Sequence, residues 1–254
     1  MRITFLGTGT SSGVPMLGCK CEVCQSTDPH DKRLRPSVLI ESREHTRVLI
    51  DCGPDFRQQM LQRPFRPFDG VLLTHFHYDH VGGLDDLRPF CQKQPLDLYL
   101  DAKTAKLVKY RMPYCFQKDP KTFVPTFHLN IVRPRKAFKI KELTILPLKV
   151  MHGANDILGF RIGRMAYLTD MKTFPERELP LLQDLDVLIV DCLQIEREHP
   201  THQNLAEALA FVEKVRPKRT YFIHMSHHAG LHAESAKLLP PRVQYAYDNL
   251  QITL

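Results

Sequence analysis

Thr74-His75-Phe76-His77-Tyr78-Asp79-His80, closed by Gly82-Gly83, places four metal-competent side chains on one turn behind the apolar run Gly70-Val-Leu-Leu73. A strand therefore delivers the cluster, and a helix leaves from it. His75 and His77 alternate and can aim at one metal, while Asp79 and His80, around the start of the helix, can aim at a second. Zinc and similar divalent ions take imidazole nitrogen and carboxylate oxygen, and a catalytic site uses about three protein ligands with one position open. More ligands must come from other segments. The helical zinc-protease pattern His-Glu-x-x-His is absent.

Working outward, short apolar strands are expected at 2–6, 37–41, 46–51, 70–74, 96–101, 143–150, 159–162, 166–170, 187–191 and 220–224. Several end in a polar residue: Asp51, Thr74, Asp170, Asp191 and His224. Such tips tend to meet at one edge of a sheet, where sites are built. His152 follows the 143–150 strand, and with Asp170 and His224 it completes two ligand sets: His75, His77 and His152 on one metal, Asp79, His80 and His224 on the other, Asp170 placed to bridge. Helical periodicity over 55–62, 80–90, 102–110, 175–182, 204–215 and 233–238 alternates with the strands and predicts an α/β fold with mixed strand pairing. Residues 110–130, richer in Pro, Lys and aromatics, read as an insertion, hairpin or lid. No repeat or linker divides the chain, so residues 1–254 are expected to form one domain.

The composition agrees. A 254-residue chain with 43% hydrophobic and 25% charged residues has material for a core, which excludes disorder, collagen and coiled coil. Its net charge of +7 suits an anionic substrate without selecting one, because cations such as Lys103, Lys106, Lys109, Arg111, Lys118 and Lys121 are scattered. The N-terminus lacks the apolar segment of a signal peptide and no run approaches a membrane span, so a cytoplasmic protein without membrane contact is expected.

Cys19, Cys21 and Cys24 offer three thiolates within six residues, a spacing that wraps one tetrahedral zinc and calls for a distant fourth ligand. His227, or failing it His228, is the donor in His224-Met-Ser-His227-His228. The zinc loop thus spans about 18–25. Cys52, Cys91, Cys115 and Cys192 lie mostly beside apolar runs and read as buried thiols.

In type and order, His75, His77, Asp79, His80, His152, Asp170 and His224 resemble the ligand motifs of metallo-β-lactamase-fold hydrolases. The resemblance implies an αββα sandwich of two mixed β-sheets with helices on the outer faces and a dinuclear site at one edge. Asp51, in Leu49-Ile-Asp-Cys-Gly53, matches a recurring strand end near that site, where it would hold a ligand His by its other ring nitrogen. The opening Phe5-Leu-Gly-Thr-Gly-Thr-Ser-Ser-Gly-Val-Pro15 with the three cysteines is similar to PhnP-like phosphodiesterases, which open cyclic ribose phosphates; Leu6-Gly-Thr-Gly9 alone is also similar to tRNase Z. In both groups the position of His202 carries a catalytic His. His202 is accordingly the general acid, His199 the runner-up, and Asp79 counts with His202 as catalytic as well as being a ligand.

The expected reaction is phosphodiester hydrolysis of a small cyclic ribose phosphate or nucleotide diester, using two catalytic divalent metals (Mn or Zn, or Fe), whose bridging hydroxide attacks, and one structural Zn. A tRNase Z-like ribonuclease is the first alternative, disfavoured because no long tRNA-gripping arm is visible. A non-hydrolytic PqqB-like protein or a mononuclear sulfur-oxidising relative is the second. A homodimer is what the resemblance implies.

Overall fold

The computed structural model describes residues 1–117 and 122–254. Fourteen strands among them form two sheets of seven. The first contains β1 (Arg2–Gly7), β2 (Ser37–Glu41), β3 (Arg47–Ile50), β4 (Gly70–Leu72), β5 (Leu96–Leu100), β6 (Phe127–Ile131) and, beside β1, the last strand, β14 (Gln251–Thr253). The second runs in chain order: β7 (Phe138–Ile140), β8 (Leu143–His152), β9 (Asn155–Ile162), β10 (Met165–Leu168), β11 (Val187–Asp191), β12 (Arg219–Ile223) and β13 (Val243–Tyr245). Each sheet is antiparallel through its first strands and parallel afterwards, from β3 to β6 and from β10 to β13.

Side-chain alternation explains the layering. In β3, Val48 and Ile50 face the second sheet while Leu49 faces outward; in β11, Val187 and Ile189 face the first sheet while Leu188 and Val190 face outward. Both faces are apolar because both are covered, which is why these strands read as continuous hydrophobic runs. Phe5, Leu72, Phe160, Tyr167 and Ile223 belong to the layer between the sheets. The helix Leu205–Val215 buries Leu205, Ala208, Phe211 and Val212 on the outside of the second sheet. On the outside of the first, the helices Phe56–Leu61 and Ala102–Arg111 contribute Phe56, Ala105 and Val108. This is the metallo-β-lactamase αββα sandwich.

Ten strands lie where alternation or apolar runs placed them, within a few residues. The four others, β6, β7, β13 and β14, are all peripheral. β6 falls in the 110–130 stretch: Phe127–Ile131 pairs parallel with β5, and Pro113–Phe116 is a helical turn following the helix Ala102–Arg111. The part of that stretch at 118–121, with Lys118 and Lys121, lies outside the described residues. Among the described residues, no helix is long and apolar enough to cross a membrane.

Candidate metal centre

The C-terminal ends of β3, β4, β8, β10, β11 and β12 lead into Asp51, the Thr74–His80 turn, His152, Asp170, Asp191 and His224. Strands from both sheets thus supply one edge. Asp51, Asp170 and His224 leave their strands with φ of 61°, 53° and 63°. Left-handed backbone at non-glycine residues costs of order 1–3 kcal/mol each and persists where surrounding packing enforces it. The turn itself is held by close approach of two segments: a Cβ on Gly53 would sit 2.1 Å from the Asp79 carbonyl oxygen, and one on Gly83 would sit 2.0 Å from that of Gly53.

Two groups of four side chains form there, with candidate ligand atoms in each within 4.8 Å of one another. His75, His77, His152 and Asp170 make the first; Asp79, His80, Asp170 and His224 make the second. Asp170 belongs to both, with Oδ1 3.9 Å from His75 Nε2 and 3.2 Å from His224 Nε2, and Oδ2 3.2 Å from His80 Nε2. Asp79 Oδ2 lies 3.1 Å from His80 Nε2 and 3.4 Å from His224 Nε2.

Neighbouring groups fix which imidazole nitrogen faces inward. His80 donates from Nδ1 to Asp51 Oδ2 at 2.8 Å. The Thr74 hydroxyl donates to the same carboxylate at 2.9 Å and can accept from His75 Nδ1 at 3.1 Å, while the Thr74 amide donates to Asp51 Oδ1 at 2.8 Å. Asp51 therefore orients a histidine of each group, one directly and one through Thr74. His152 donates from Nδ1 to the Thr201 carbonyl at 3.0 Å. In every case Nε2 is left for the centre, and His75 Nε2 and His80 Nε2 are buried with no hydrogen-bond partner.

The electrostatics of the two groups differ: burial pulls His80 down, but the Asp170, Asp79 and Asp51 carboxylates outweigh it and raise it well above its ordinary value. Burial, reinforced by the neighbouring imidazoles, lowers the pKa of His75 well below its ordinary value; burial likewise lowers His77 and His152. Neutral imidazole is the form that binds a metal. Burial opposes ionisation of Asp170, but the His224 and His80 charges outweigh it and hold the carboxyl well below the carboxylate range. Asp51, Asp79, Asp170 and Asp191 are all buried, and among the described residues none has a Lys or Arg within ion-pair distance; their cationic neighbours are histidines alone. Buried carboxylates without fixed cations and inward-facing bare imidazole nitrogens fit divalent metal ions.

His202 sits against this centre, 8% exposed. Its ring stacks on His224 with centroids 4.7 Å apart, and Nε2 is 4.0 Å from Asp170 Oδ1. Nδ1 donates to Asp191 Oδ2 at 3.2 Å, and the Gln203 amide donates to the same oxygen at 3.1 Å. Burial pulls the pKa of His202 down, yet the Asp191 carboxylate outweighs it and raises the imidazole to about 9. His199 lies farther out, its Nδ1 accepting from the Thr201 amide at 3.3 Å. Asp191 and Thr74 were visible in the sequence only as polar strand tips; what they bind depends on how the two sheets face each other.

A second cluster stands apart. His227 Nδ1 lies 3.2, 3.3 and 3.6 Å from the sulfurs of Cys19, Cys21 and Cys24. A tetrahedral zinc with Zn–S near 2.3 Å and Zn–N near 2.0 Å implies S···N edges of about 3.5 Å. His228 is directed elsewhere, with Nε2 3.5 Å from Arg197.

Residues 46–225 match the Beta-lactamase superfamily domain, and the chain belongs to that superfamily. Within it the chain is PhnP-like: it is 38% identical to a diphosphatase of the PhnP family, with a TM-score of 0.91 over 100% of this chain and 97% of that one. It is also 44% identical over 251 residues to an octanoyltransferase of Porphyromonas gingivalis, matching 99% of this chain but 51% of the relative. A coenzyme PQQ synthesis protein B of Methylobacterium radiotolerans is 33% identical over 112 residues, 39% of this chain and 36% of that protein. The chain therefore spans about half the length, or less, of these curated relatives.

Proposed function

We propose that the chain is a metal-dependent phosphodiesterase acting on small cyclic ribose phosphates or nucleotide diesters. The observation that carries this reading is Asp170 shared by two four-residue groups, with a carboxylate-held His202 facing the same carboxylate. His75, His77, His152 and Asp170 would hold one divalent ion, and Asp79, His80, Asp170 and His224 the other. Bound there, the pair would supply an activated water at neutral pH and neutralise charge on the phosphoryl oxygens.

The chain's own residues then do the following. Thr74 and Asp51 keep His75 and His80 in the tautomers that present Nε2. The His152–Thr201 bond ties the loop carrying His202 to the end of β8. His202, with Nδ1–H committed to Asp191, delivers its Nε2 proton to the departing alkoxide, and Asp191 stabilises the imidazolium before that step. Cys19, Cys21, Cys24 and His227 would hold a structural zinc that pins the loop after β1 to the segment after β12. Acyl transfer, the activity named for the longer P. gingivalis relative, draws no support from these clusters: the thiols beside the centre, Cys52 and Cys192, are fully buried and raised by burial.

The test is turnover of bis(p-nitrophenyl) phosphate, a ribose cyclic phosphate and a tRNA precursor by manganese-loaded protein. Turnover of the small diesters supports the proposal. Rapid trimming of tRNA without small-diester turnover favours the ribonuclease, and a single bound iron with no hydrolysis favours the non-hydrolytic reading.

A further inference from the structure

In the sequence Thr169 is an ordinary residue beside a ligand. In the structure it stands at the end of β10, whose Met165 and Tyr167 belong to the layer between the sheets while Ala166 and Leu168 lie outside it. Alternation puts Thr169 on the side of Tyr167, and it is fully buried there. Its hydroxyl donates to Asp170 Oδ2 at 2.6 Å, a separation typical of a hydroxyl bonded to an ionised carboxylate. The first sheet has a counterpart, since the buried Thr74 hydroxyl donates to Asp51 Oδ2 at 2.9 Å. Each sheet therefore supplies one threonine hydroxyl to one carboxylate at this edge.

The two oxygens of Asp170 have different surroundings. Oδ1 lies 3.9 Å from His75 Nε2, 3.2 Å from His224 Nε2 and 4.0 Å from His202 Nε2, so it faces one histidine of each ligand group and the proposed acid. Oδ2 lies 3.2 Å from His80 Nε2 and carries the Thr169 bond. The terminal torsion of an aspartate is broad and lets the carboxylate plane turn. Among the described residues, Thr169 is the one side chain other than these histidines that bonds to this carboxylate. A strong bond at Oδ2 stops the turn and fixes which oxygen looks into both groups. Groups that orient a ligand in this way govern metal affinity almost as much as the ligand itself.

We propose that Thr169 is a positioning residue for the metal centre: by holding Oδ2 it presents Asp170 Oδ1 to both ligand groups, so that one oxygen serves both metal positions. This rests on the metal centre of the proposed function and adds a residue that touches neither ion nor substrate. Thr169 acts only through Asp170, and its effect falls first on the affinity for the pair of ions.

The test is binding of manganese alone to the full chain, measured by competition with a chelator. Thr169→Val removes the hydroxyl at nearly constant volume and should weaken manganese binding about 10- to 100-fold, while the zinc at Cys19, Cys21, Cys24 and His227 is retained. Thr169→Ser, which keeps the hydroxyl and loses the methyl, should bind nearly as wild type. A packing role would give the reverse order. Thr169→Ala, compared with Thr169→Ser, repeats the comparison should the valine variant fail to fold, and should bind as weakly as valine is expected to. At saturating manganese, the exchange-coupled electron paramagnetic resonance signal of a bridged pair should be present in wild type and weakened in the variants that lack the hydroxyl. Manganese affinity or a coupled signal that stays at the wild-type level in those variants overturns the inference and leaves the phosphodiesterase intact. A wild type that binds two manganese ions with this dependence on Thr169, yet hydrolyses neither bis(p-nitrophenyl) phosphate nor a ribose cyclic phosphate, overturns the phosphodiesterase and leaves the inference standing. A wild type that takes up no pair of ions overturns both.

Discussion

The two metal-competent clusters are built in opposite ways. The His/Asp centre gathers residues from six strand ends spread between positions 51 and 224, buries nearly all of them, and needs left-handed backbone at Asp51, Asp170 and His224 to aim them. The Cys/His cluster takes three of its four members from six consecutive residues and borrows only His227 from elsewhere, with Cys24 buried and the other three partly exposed. On the proposed reading, the centre with hard carboxylates and oriented imidazoles would serve reaction, whereas the four soft and borderline ligands at tetrahedral spacing would form a closed structural site. His227 lies three residues after His224, so one short segment serves both.

The sharpest way to break the comparison is to remove one cluster and examine the other. His202→Ala should lower kcat on a substrate with a poor leaving group by about 10²- to 10⁴-fold while metal content stays unchanged. The loss should be much smaller with a p-nitrophenolate leaving group, which needs no proton; equal losses on both would contradict the acid role. Cys21→Ser should release one zinc and retain the catalytic ions, with a fall in melting temperature of about 10 °C for a stability loss near 3 kcal/mol. Asp51→Asn should weaken metal binding about 10- to 100-fold, read by competition with a chelator, because both His75 and His80 lose their orienting partner.

The smallest effect concerns pH. Asp191 is what raises His202 against its burial. An acid must be protonated to act, so the alkaline limb of kcat/KM follows the His202 pKa. Asp191→Asn removes the raising charge and should shift that limb to lower pH, while the acid limb stays in place. An unmoved alkaline limb would mean that His202 does not set it.

Much of this organisation was legible in the chain. β3, β4, β10, β11 and β12 announce themselves as apolar runs ending in Asp51, Thr74, Asp170, Asp191 and His224, because strands buried on both faces carry no polar alternation. β7, β13 and β14, only three residues each, were not, since three residues cannot establish a period, and β6 has polar and exposed positions that resemble a loop. The sequence favours His227 over His228 only by its place three residues after His224; the turn after Ser226 is what directs it toward the thiols.

The central claim is that Asp170 joins two metal positions at one edge of the sandwich while the cysteine loop holds a third. Counting divalent ions per chain by elemental analysis, in wild type and in Asp170→Ala, tests it most directly. The account predicts three ions in wild type and loss of the catalytic pair in the variant, with the zinc at Cys19, Cys21, Cys24 and His227 retained. A wild-type protein saturating at one ion in the His/Asp centre, or a variant that keeps both catalytic ions, would contradict it.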